Sequence, residues 1–108
     1  MMAKYMIKAS YTTDGIRGVL KSGGSARVSA VEKALAGVGG SIESFYFAFG
    51  GSDVYVVVEA PGNVEAAAMA ATVGASGAMA SYETVVLLSP EEIDQAAQAA
   101  VDYSPPGS

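Results

Sequence analysis

The chain has 108 residues, a formal charge of -5 and neither cysteine nor histidine. That length suits one domain with one core, and the two missing residue types exclude disulfides, thiolate chemistry, haem held by His or Cys, and the commonest metal ligand and general base. Excess negative charge argues against sequence-independent nucleic-acid binding, and no apolar run approaches the ~18 residues of a membrane span, so no nucleic-acid or membrane partner and a cytoplasmic location are expected.

Residues Lys4 to Tyr11 alternate, with Tyr5, Ile7, Ala9 and Tyr11 on one side and Met6, Lys8 and Ser10 on the other, which predicts a first strand. Thr12 or Thr13 can cap a helix carrying Ile16, Val19 and Leu20 at helical spacing, interrupted at Gly23-Gly24. A second helical piece is expected from Ser25, its buried stripe formed by Val28, Val31, Leu35 and Val38 and its end set by Gly39-Gly40.

The aromatic and β-branched segments 41–49 and 53–59, separated by Gly50-Gly51-Ser52, predict a hairpin. Strict alternation in its first strand puts Phe45, Phe47 and Phe49 on one face and Ile42, Tyr46 and Ala48 on the other, so both faces meet apolar material. Pro61-Gly62 ends the hairpin and Asn63 can cap an Ala-rich helix to about Ala75. Residues 78–88 return to strand character. Ser89-Pro90-Glu91-Glu92 then reads as a capping box with proline at the first helical position, and Ile93, Ala96, Ala97, Ala100 and Val101 form the expected buried side of a last helix. One domain over residues 1–103 and a frayed tail over 104–108 are expected.

The order strand, helix, strand, strand, helix, strand, helix predicts an α+β, ferredoxin-like βαββαβ fold with an extra C-terminal helix and a four-stranded antiparallel sheet. Helices on one face would leave the other needing cover, since a broad apolar patch does not stay in water. A second copy of the chain could supply it. Much of the apolar half of the composition is Ala, which buries little area, and a subunit interface would add to a thin core.

Three phrases, Lys4 to Thr12, Gly23 to Arg27 and Glu43 to Gly50, resemble the GYD-domain family of small bacterial proteins. The likeness covers about Lys4 to Ala97. The motif that names the family falls at Gly51-Ser52-Asp53, with Ser52 where the family has tyrosine. What the resemblance implies is a dimeric α+β barrel, in a superfamily holding cofactor-independent monooxygenases, isomerases and ligand binders. It implies no particular activity.

All six basic residues, Lys4, Lys8, Arg17, Lys21, Arg27 and Lys33, lie in the first third, while nine of the eleven acids follow residue 34. Such a chain can hold an anion near its basic third or pair that third with its acidic remainder, within or between subunits. The turn Lys21-Ser22-Gly23-Gly24-Ser25-Ala26-Arg27 is one candidate anion site, with Arg17 nearby, because its glycines let backbone N–H groups converge before a helix. A plain kink is the alternative.

Lys8 and Ser10, on a strand expected to be central, form a second candidate: a desolvated Lys8 could act as base or oxyanion partner, or it could simply lay its stem on the sheet. Tyr5, Tyr11, Tyr46, Tyr55 and Tyr82 could line a pocket for a flat molecule or be core. Asp53 could bond local backbone or a ligand, and Glu83 could pair with a base or act as one. Catalytic candidates are thus Lys8, Tyr46 and Glu83. Glu91, Glu92 and Asp94 suit a helix N-terminus without any metal.

Two functions compete on this reading. The first is a domain that binds, or converts, a small anionic or aromatic metabolite without metal, haem or other cofactor. The second is an interaction module whose product is its own homodimer or larger assembly.

Overall fold

The computed structural model describes residues 2–107. Strand β1 (Ala3–Tyr11) leads to helices α1 (Thr13–Ser22) and α2 (Gly24–Ala36), then to strands β2 (Ser41–Phe47) and β3 (Val54–Ala60). Helix α3 (Asn63–Ala75), strand β4 (Met79–Leu87) and helix α4 (Pro90–Gln98) complete the chain. The sheet order is β2-β3-β1-β4 and every pairing is antiparallel, the α+β ferredoxin-like arrangement expected from the element order.

Local signals set several boundaries. Thr12 caps α1 by accepting from the Gly15 N–H at 3.1 Å, and Gly23, at φ 90°, turns the chain from α1 into α2 in a conformation L side chains rarely adopt. Ser89 and Glu92 form the reciprocal capping box of α4, at 3.1 and 2.9 Å.

The core lies on one face of the two central strands. Tyr5, Ile7 and Ala9 of β1 and Val54, Val56, Val58 and Ala60 of β3 are buried there, whereas the helices add only Leu35 and Met69 to the buried set. Tyr5 keeps its hydroxyl satisfied by donating to Asn63 Oδ1 at 2.7 Å.

Two irregularities depart from strict alternation. In β2, Ile42 pairs with Val58 and Ser44 with Val57, so Glu43 is an extra residue, a β-bulge. Ile42 therefore joins Phe45 and Phe47 on the helix-covered face, not the opposite face that alternation assigned to it. In β4, Ser81 pairs with Ser10 but Met79 with Tyr11, leaving Ala80 as the extra residue and aiming Met79 and Tyr82 to the same side.

The other face carries Ser44, Tyr46, Tyr55, Val57, Met6, Lys8, Ser10, Glu83, Val85 and Leu87 by register, and among the described residues no helix covers it. Lys4 reaches the bulge residue Glu43 at 3.0 Å and Glu59 at 3.8 Å, and Lys8 reaches Glu83 at 3.8 Å. The hydrogen bond and charge of Glu43 hold the Lys4 ammonium above its ordinary value, with Glu59 adding to them. Part of the basic third is thus paired with the acidic remainder inside one chain.

Helix α4 corrects another expectation. It ends at Gln98, so Ala100 and Val101 lie beyond it, and its intended buried side is open: Ile93 is 52 % exposed. The radius of gyration is 16.8 Å, against about 13 Å for a compact chain of this length, because α4 and the following residues stand away from the body.

Candidate functional site

Between the covered face of the sheet and helices α2 and α3 lies a cavity of about 290 Å3, close to the lower end of the ~300–1,000 Å3 usual for small-molecule sites. Its wall is apolar over most of its area: Ile7, Val54 and Val56 from the sheet floor, Val31 from α2, Met69 and Val73 from α3. The space exists because several wall positions are too short to fill it, namely Ala9, Ala34, Ala78 and Gly15. Gly15 is required where α1 meets the start of β4, since a Cβ there would land on the Ala78 carbonyl oxygen.

Besides the small hydroxyls of Thr72 and Ser76, three polar side chains interrupt this wall. Tyr82 is the most telling: its hydroxyl is buried and makes no hydrogen bond among the described residues. Burial raises the Tyr82 phenol above its ordinary value, and Thr84 lies near enough to offset part of that without hydrogen-bond geometry. Tyr11 lies on the same wall, its phenol also raised by burial, lowered by the Arg27 charge and raised by that of Asp53. The third is Arg27, half-buried on the first turns of α2 and without an acidic partner among the described residues.

Arg27, Gly15 and Ala78 also line a second, shallower groove between α1 and α2. They stand where the cavity meets the surface. Arg27 therefore sits at the mouth, with the apolar floor beyond it.

The residues singled out from sequence are divided between the two faces. Tyr11, Arg27 and Tyr82 are brought together on the covered face, whereas Lys8, Ser10, Tyr46, Tyr55 and Glu83 are on the open one, so the five strand tyrosines do not form one pocket. Lys8 is engaged with Glu83, and Tyr46 lies 69 % exposed opposite Tyr55. Ser10 donates weakly to the Gly51 carbonyl at 3.4 Å.

Asp53 is a clamp between strands. Its Oδ2 accepts from the Tyr11 N–H at 2.9 Å while its own N–H donates to the Ala9 carbonyl at 2.9 Å, the local backbone role weighed for it above. In the basic turn, the Gly23 N–H donates to the Val19 carbonyl at 2.7 Å, so it does not converge on an anion, and Gly24 lies against the Phe47 ring. Arg17 is beside Asp14 at 3.8 Å, and Lys21 is exposed.

Sequence reading missed Met69, Val73, Val31 and Met79 as wall residues. Met69 and Val73 are four apart on one helix, a spacing that marks a shared face, but the surrounding alanines hid it. Met79 belongs with Tyr82 only because of the bulge at Ala80.

A ferredoxin-like α+β domain with an interlayer cavity, apolar within and basic at its mouth, is the class of protein that this geometry defines. The GYD domain family model matches residues 5–97, and the chain belongs to that family. No curated protein and no solved structure matches it.

Proposed function

We propose that this domain binds a small aromatic or anionic metabolite in the cavity between the sheet and helices α2 and α3, using neither metal nor haem. The observation that carries the reading is the cavity itself: about 290 Å3 of mostly apolar space between the sheet and the helices, with Arg27 on its wall. Its apolar surroundings supply the affinity.

Titration calorimetry with small arenes, on wild type and on Val73→Phe, tests this. Wild type should bind and the filled variant should not, with its own melting transition intact. Equal binding by both proteins would remove the cavity from the account.

A second reading, self-association through the open sheet face, is favoured by a separate observation. Met6, Val57 and Val85 form an apolar row across β1, β3 and the edge strand β4, flanked by Leu87 and by Tyr46 and Tyr55. Two such faces in contact would make the dimeric α+β barrel, in which Lys8 and Glu83 of each copy meet the other sheet. Light scattering should report a dimer for wild type and a folded monomer for Val57→Asp. The two readings are compatible, because they use opposite faces.

A further inference from the structure

We infer that the ligand of the interlayer cavity is a monocarboxylate whose charged end sits at Arg27 and whose apolar body lies over Ile7, Val56 and Met69. This deepens the cavity reading and rests on it. The charge count of the wall supports it first: Arg27 is a cation, and no Asp or Glu lines the cavity. A single unpaired guanidinium in an apolar wall is matched by one negative charge. A second charge would have to be desolvated without a partner, which is costly.

Geometry supplies the next step. A guanidinium presents a planar fork that fits a carboxylate with two parallel hydrogen bonds, and such charge-assisted pairs are roughly twice as strong as neutral ones. Arg27 lines both the cavity and the outer groove, so a carboxylate there keeps some hydration while the rest of the molecule is dry. Asp14 also borders that groove, but it lies beside Arg17 at 3.8 Å. Asp53, the acid whose charge is felt by Tyr11, has an oxygen engaged by the Tyr11 N–H.

A net formal charge of -5 disfavours anions at long range, so a cation set in an apolar wall matters more for holding one.

The experiment is a calorimetric comparison of benzoate, benzyl alcohol and phenyl phosphate on wild type, Arg27→Gln and Arg27→Lys, with a thermal melt of each protein as the folding control. Benzoate should bind wild type about tenfold or more tightly than benzyl alcohol, the margin of a charge-assisted pair over a neutral contact. Arg27→Gln should erase that margin and leave benzyl alcohol unchanged, and Arg27→Lys, which keeps the charge and loses the fork, should fall between. Equal affinity for the acid and the alcohol in wild type, or a margin that survives Arg27→Gln, overturns the carboxylate while the cavity reading stands. Phenyl phosphate binding more tightly than benzoate overturns it in favour of a dianion. If none of the three binds at millimolar concentration, the cavity reading and the carboxylate fall together.

Discussion

The same four strands present two faces with opposite problems. On the covered face β1 and β3 place seven of the buried side chains, the helices close over them, and what remains is a shortage of bulk that leaves a cavity. On the open face the side chains are of similar apolar character at Met6, Val57 and Val85, but ion pairs of Lys4 and Lys8 border them and no helix among the described residues lies above. Adjacent residues on one strand, Val56 and Val57, belong to these two worlds. Burial is therefore decided by what the sheet faces, and hydrophobicity of the strand alone does not say which face the helices will cover.

The comparison can be broken most forcefully on the covered face. Leu35 is 2 % exposed, and Leu35→Ala should cost about 3 kcal/mol, read from the urea midpoint at unchanged slope. The matched test on the open face, Val57→Asp, should leave the fold and remove the concentration dependence of the melting temperature. If Val57→Asp unfolds the chain as thoroughly as a core substitution, the contrast between the faces is wrong.

Smaller effects sharpen it. Tyr82→Phe removes a buried unpaired hydroxyl and should stabilise the ligand-free protein by about 1 kcal/mol, several degrees in Tm for a domain of this size. A variant that is less stable than wild type would mean the hydroxyl has a partner after all.

Alkaline titration distinguishes the faces again. Burial raises the phenols of Tyr11 and Tyr82, so the native state holds their protons when the unfolded chain has released them. The stability they contribute is fully present below the unfolded value of about 10 and is lost as pH rises through the raised native values. Melting temperature should fall more steeply between about pH 9 and 11 in wild type than in a Tyr11→Phe, Tyr82→Phe double variant. Least of all, Lys8→Ala should change stability by under about 1 kcal/mol, because its partnership with Glu83 is solvent-screened at 35 % and 58 % side-chain exposure.

Much of the fold was legible because it is written in local chemistry. Thr12, Gly23 and the Ser89-to-Glu92 box mark ends that depend on neighbours a few residues away, and the structure puts elements at those ends; Asn63, expected as a cap, is instead the first residue of α3, with Gly62 at the cap position and the Asn63 Oδ1 accepting from Tyr5. The site was less legible because it depends on register. An extra residue at Ala80 decides that Met79 and Tyr82 share a wall, and alternation cannot announce a bulge. Arg27 was visible as a cation near a glycine turn, yet its place in a cavity wall follows from how α2 crosses the sheet, which no short window of sequence contains. The open side of α4 was misjudged for a related reason: amphipathic spacing shows that a face seeks cover without saying where cover is found.

The extra residue in β2 has a further consequence for anyone aligning chains of this kind. Upstream of Glu43 inward positions fall at one parity of the numbering, Ile42 among them, and downstream they fall at the other, with Phe45 and Phe47. Deleting that glutamate would restore plain alternation, with Ile42 still inward opposite Val58 and Ser44 outward opposite Val57, and would take from Lys4 its nearest counter-ion. A chain without the extra residue, aligned here with no gap, would have lining and surface exchanged along one side of Glu43, and a shape-based pairing of residues is the safer guide along that edge.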